Sequence, residues 1–149
     1  MNSASKTMPK SLRPDQLVVE NLGAELMIYD QARNQAFCLN QTAAFVWQHC
    51  DGKSTIKDIA TKMAETLEKP VDESIVTFAL QNLSKDGLLE NSNLTPFVPA
   101  LMSRRDLIQK IGVRAAIALP LVTALAVATP RAHASSGNTG GPPYHKKGW

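Results

Sequence analysis

At Asn40 the hydrophobic period of this chain changes from two residues to about 3.6, and that switch limits the fold more than any other feature. Before it lie three short runs rich in Val, Ile, Tyr and Phe: LVVENL (17–22), AELMIYD (24–30) and QAFCLN (35–40). Gly23 separates the first two, and the polar QARNQ, whose Asn34 suits a turn, separates the last two. After the switch, Ala43, Val46, Trp47 and Cys50 fall at i, i+3, i+4 and i+7, until Asp51-Gly52 stops the helix. A second helix opens on Thr55-x-x-Asp58, a capping box with Asp in place of Glu, and carries Ile56, Ile59, Ala60, Met63 and Leu67 on one face. Pro70 separates it from a third, which starts near Asp72-Glu73 and ends at about Asp86-Gly87. The expected fold is α+β and winged helix-turn-helix-like: a three-stranded antiparallel sheet followed by a three-helix bundle.

The third helix has more apolar surface than one core face requires. At 100° per residue, Val76, Ala79, Leu80 and Leu83 form a stripe about 100° wide, the expected core face. Ile75, Phe78 and Asn82 form a second stripe, displaced by roughly 90°. It either fills the edge of a small core or lines a groove for a partner.

Charge divides the chain in two. Residues 1–100 hold nine Lys/Arg against twelve Asp/Glu, a net −3, while residues 101–149 hold seven against one, a net +6. The expected organisation is a disordered stretch at 1–15, a domain at 16–91, a linker at 92–102, a hydrophobic segment at 103–134 and a flexible Gly/Pro-rich tail at 135–149. Cys38 and Cys50 are the only cysteines and show no C-x-x-C or Cys/His spacing, so neither a disulfide framework nor a metal site is expected. Residues 1–15 contain no apolar signal core, so the domain is expected to be made and folded in the cytoplasm.

The ordered series F-C-L-N before the first helix, C-D-G after it, T-I-K-D-I-A at the second and L-x-x-L-x-x-D-G-L-L at the end resembles the PqqD-like peptide-recognition domain. This family is also called the recognition element of ribosomally made, post-translationally modified peptides. The resemblance covers roughly half the chain, from Leu17 to Leu89. It implies a binding module and not an enzyme, with no cofactor. A precursor's leader would add as a strand beside the third strand, in the groove facing the third helix, and be delivered to a modifying enzyme, often a radical one. Carried onto this chain, the peptide-binding residues are Gln35, Ala36, Phe37, Cys38 and Leu39 on the strand, and Ile75, Phe78 and Asn82 on the helix. The physics is strand addition, in which an unpaired edge gains main-chain hydrogen bonds and side-chain pockets select the partner.

Other chemistries are poorly served. His49 has no nucleophile beside it in any recognisable pattern, and Asp51, Asp58 and Glu65 suit caps or a solvated face. A winged helix used on DNA needs a basic surface, but the third helix offers Lys85 against Asp72, Glu73 and Asp86 in an acidic domain. No nucleic-acid partner is expected.

The last third carries a second signature. Ser103-Arg104-Arg105-Asp106-Leu107-Ile108-Gln109-Lys110 resembles the twin-arginine export motif, with Leu107 replacing the aromatic residue and the lysine one place late. The uncharged run 115–130 has 16 residues and contains Pro120, short for a membrane span of about 20 but suited to a signal core, and Ala132-His133-Ala134 supplies small residues for a signal peptidase. A C-terminal hydrophobic helix and a disordered tail are expected here. Three roles compete: an anchor at the inner membrane face or a translocase contact; the export signal of a precursor fused to its own recognition domain, with Tyr144, His145, Lys146, Lys147 and Trp149 as modifiable groups in a periplasmic tail; or a surface amphipathic or cryptic core segment.

Overall fold

The computed structural model describes residues 17–90, 102–112 and 117–127. Three strands, β1 (Leu17–Leu22), β2 (Glu25–Asp30) and β3 (Gln35–Leu39), form an antiparallel meander. Leu22 pairs with Glu25 across the first turn, where Gly23 takes φ +76°. The second turn is held by side chains: Tyr29 donates to Asn34 Oδ1 at 2.7 Å, and the Arg33 N–H donates to Asp30 Oδ1 at 3.1 Å. Asn34 itself sits at φ +53°, a conformation that asparagine tolerates better than most residues. Asp30 is buried but compensated, with Arg33 Nε 3.4 Å from its other oxygen.

Three helices follow: α1 (Gln41–His49), α2 (Ile56–Leu67) and α3 (Glu73–Lys85). Each begins on a capping side chain, from Asn40, Thr55 and Asp72. The Thr55/Asp58 pair forms the full reciprocal box. Between α1 and α2, Asp51 accepts the N–H groups of Lys53 and Ser54 at 2.8 and 2.6 Å, and these bonds hold its carboxyl down at about 2.

Alternation along the strands decides which side chains meet the helices. Leu26 and Ile28 of β2 pair in register with Leu39 and Phe37 of β3, and all four are buried. They pack with Val46 and Trp47 of α1, Ile59 and Met63 of α2, and Val76, Leu80 and Leu83 of α3 in one cluster. Trp47 closes it by donating its indole N–H to the Leu88 carbonyl at 3.1 Å. Arg33 ties the β2–β3 turn to the end of α3, donating to the carbonyls of Asp86 and Gly87 at 3.3 and 3.4 Å. Gly87 has φ +71°, a conformation that favours glycine, and an added Cβ would displace the Arg33 guanidinium from this corner.

The α+β architecture holds, but two parts of the expectation are corrected. The sheet has four strands, in the order β1-β2-β3-β4, because β4 (Val122–Leu125) pairs antiparallel with the outer edge of β3. Between α3 and Glu90 the chain makes an isolated bridge at Leu89, and no hairpin wing follows the third helix among the described residues.

The expected C-terminal hydrophobic helix is also not what forms. A short polar helix, α4 (Arg104–Ile111), ends at Gly112, and the apolar run downstream includes β4. Among the described residues no helix is long and apolar enough to cross a membrane. Pro120 cannot donate a helical hydrogen bond and disfavours helix at Leu119, while β-branched Val122 and Thr123 suit the ladder that β3 offers. The stretches 1–15 and 135–149, residues 92–101, and Ala132 and Ala134 lie outside the described residues.

Candidate functional site: the groove between β3 and α3

The second stripe of α3 is buried, and α4 covers it. Ile75 and Phe78 are 2 % and 7 % exposed and form a satellite cluster with Leu107 of α4, which is fully buried. Val71, Met102, Ile111 and Leu119 close its margin. Asn82, the third residue of the stripe, is half-buried and stands outside that apolar contact, its carbonyl accepting the Asp86 N–H at 3.1 Å. On the flank of the stripe, Gln81 Nε2 is a buried side-chain donor without a partner among the described residues.

Leu107 is aimed by the start of its own helix. Ser103 Oγ accepts the Asp106 N–H at 3.1 Å, while an Asp106 carboxylate oxygen accepts the Ser103 N–H at 3.1 Å, a complete capping box. The bonds from Ser103 hold the Asp106 carboxyl below the usual carboxylate range. Arg104 and Arg105 lie exposed in this first turn. Asp72, the cap of α3, is also lowered, chiefly by Ser74 and additionally by the positive charge of Lys110 on α4. The basic segment 102–127, the arm, and the acidic domain therefore meet with complementary charge.

A polar clamp connects the two halves of the groove. Asn40 Oδ1 accepts the N–H of Ala43, capping α1, and also the N–H of Leu121 at 3.0 Å. Its Nδ2 donates to the Leu119 carbonyl at 2.7 Å, and its backbone N–H donates to the Leu121 carbonyl at 3.1 Å. Beside it, Thr42 Oγ1 donates to the Ala118 carbonyl at 2.6 Å. Such contacts read main chain, so they fix position and direction and leave side-chain choice to the apolar contacts. Pro120 is buried within the clamped stretch, and Ile117 is 9 % exposed.

The ladder of β3 and β4 completes the site. Leu39, Cys38, Phe37 and Ala36 pair with Val122, Thr123, Ala124 and Leu125. Val122 turns inward and packs on the main core. Gln35, the remaining predicted strand residue, pairs only with Asp30 of β2 and lies beyond β4. Thus the structure brings Ala36, Phe37, Cys38 and Leu39 onto one polypeptide segment with Ile75 and Phe78, and leaves Gln35 and Asn82 at the margins.

Asn40, Thr42 and Leu107 were missed by sequence reasoning. A polar residue before a helix announces a cap, but nothing local shows that its second lone pair and its amide hold a chain some 80 residues away. Leu107 had a usable signal in Ser103-x-x-Asp106, a capping box hidden inside the arginine motif.

Among the described residues no acid-base or nucleophilic constellation accompanies the groove. Burial and the neighbouring Asp51 charge push the Cys50 thiol up to about 12; burial and the Glu25 carboxylate, to which its Sγ donates at 3.4 Å, raise Cys38. His49 stacks on Phe45, centroids 4.1 Å apart, with Nδ1 2.8 Å from the Phe45 carbonyl. Among the described residues no group of three His, Cys, Asp or Glu is placed to hold a metal ion.

Residues 25–89 match the model of the family described as Coenzyme PQQ synthesis protein D (PqqD). The match runs from β2 to just beyond α3, less than half of the chain, and leaves β1, α4 and β4 outside it. No curated protein and no solved structure is similar enough to this chain to match it.

Proposed function

We propose that this chain is a PqqD-like peptide-recognition module, which holds a precursor segment in the groove between β3 and α3 and presents it to a modifying enzyme. The observation that carries this reading is the way the groove is filled: a strand on the outer edge of β3 and a leucine against Ile75 and Phe78. This is recognition by strand addition with an apolar anchor, and it requires no catalytic side chain or cofactor in the module. The match of residues 25–89 to PqqD supports it independently.

Radical chemistry, if the partner enzyme supplies it, stays with that enzyme. The module contributes position and direction, through the Asn40 and Thr42 contacts to main chain. Exposed Arg104 and Arg105, within the export-like motif, leave that motif readable from solvent.

The test is binding of a fluorescein-labelled synthetic peptide spanning residues 101–127 to the full chain carrying Leu107→Asp, which drives the resident leucine out by burying a charge. Saturable binding in the micromolar range, abolished by adding Phe78→Asp, is expected. Absence of binding in a folded Leu107→Asp protein would sink the reading.

A further inference from the structure

The occupant of the groove is not a separate peptide. We infer that the client of this site is the chain's own segment 102–127, held in cis, so that the protein is synthesised already loaded. This rests on the groove reading above and adds the identity of what the groove takes.

Three observations converge on that segment. It lies outside residues 25–89, so the part that fills the site is additional to the part that matches the family. It uses both walls at once, with Leu107 seated on Ile75 and Phe78 and with residues 122–125 paired to β3. Between these anchors its main chain is gripped at Ala118, Leu119 and Leu121 by Thr42 and Asn40. Helix α4, the clamped residues 118–121 and strand β4 each meet a different wall of the same site, as parts of a single ligand would.

Tethering decides the competition with any free peptide. A segment joined to its site by a short connection faces it at an effective concentration of about a millimolar. A free leader at micromolar concentration would have to bind roughly a thousandfold tighter to displace it. Coupled ordering of a free peptide weakens it further. The basic segment on the acidic domain, with the positive charge of Lys110 felt at Asp72, adds to the advantage of the resident segment.

The experiment compares the wild-type full chain with two variants, using the labelled 101–127 peptide. The first variant is Leu107→Asp. The second is Thr123→Pro, which removes the N–H that the alternation of the ladder directs at Cys38 and spares α3. The wild type is expected to bind the peptide at least about 100-fold more weakly than Leu107→Asp, with Thr123→Pro in between, and to be a monomer by native mass spectrometry. Equal binding by wild type and variants would overturn cis occupancy while leaving the groove reading intact. A dimer with exchanged arms would also overturn it, making the client the segment of a second copy. If neither variant binds while both keep their α1–α3 amide protection, the groove reading fails and this inference with it.

Discussion

The domain and the arm are both packed, but in different ways. In the domain, strands β2 and β3 and helices α1, α2 and α3 share one cluster in which most large side chains are almost fully buried. The arm reaches the domain through a small satellite of Ile75, Phe78 and Leu107, a clamp made of hydrogen bonds to main chain and a four-residue ladder. It leaves Ile108, Leu121, Leu125 and Val127 about 40–50 % exposed. A shared core makes folding cooperative, whereas an attachment through separable contacts can open without unfolding what it leaves behind. The arm is built as a ligand is built, and the domain as a fold is built.

The largest way to test that contrast is to cut each cluster by one leucine. Leu83→Ala, in the main core, is expected to cost about 2–5 kcal/mol and to shift the whole denaturant transition. Leu107→Ala removes an equally buried side chain, but its cost is capped by the docking free energy of the arm. Beyond that cap the arm simply detaches, so about 2 kcal/mol or less is expected. Hydrogen exchange separates the cases: Leu107→Ala should lose amide protection in α4, in β4 and at the β3 amides that face β4, and keep it in β2 and α1. Uniform loss of protection would mean that arm and domain are one cooperative unit.

Asn40→Ala acts on both regions at once, because the side chain caps α1 and clamps Leu119 and Leu121. A cost of about 1–2 kcal/mol is expected, with faster exchange at Leu121 as well as at the start of α1. Exchange faster only at α1 would show that the clamp adds nothing to the arm.

Acid should loosen the arm. Asp106 and Asp51 both have depressed carboxyl pKa values, Asp106 through Ser103 and Asp51, at about 2, through Ser54 and Lys53. A depressed folded-state value contributes stability above the unfolded carboxylate value of about 3.9, lost as pH falls through the folded value. The α4 capping box should therefore weaken as pH falls below the unfolded carboxylate range and through the folded value of Asp106, and the Asp51 turn should be lost at about pH 2. NMR titration of the Asp106 and Ser54 amides, with Asp106→Asn as the control, checks both losses.

The smallest effect is expected at Gln81, whose Nε2 is buried on the flank of the second stripe without a partner among the described residues. Gln81→Met removes that donor at similar volume and should leave stability unchanged or raise it by up to about 1 kcal/mol. A loss above that, read from thermal melts, would mean that the amide has a structural role.

Much of the domain was legible because its signals are local. Thr55 and Asp58 form the capping box their spacing predicts, Asp72 caps α3 and Gly87 ends it with positive φ. The second stripe of α3 was visible as Ile75 and Phe78 at helical spacing. What filled it was not. Ser103, Arg104, Arg105 and Asp106 resemble the start of an export motif and form a capping box with the same letters, and no local rule chooses between the two readings.

By itself, then, the amino-acid order determined the elements of the domain, their caps and the surplus apolar face of α3, since propensity, periodicity and capping act over a few residues. Only the tertiary structure decided that the apolar run after Gly112 becomes a strand, that it lies on β3 and that Asn40 reaches it. A strand edge carries no record of its partner: N–H and C=O groups are the same along every chain. The pairing across some 80 residues is settled by which segment brings a leucine to Ile75 and Phe78, a carbonyl to Asn40 and a β-branched pair to the open edge.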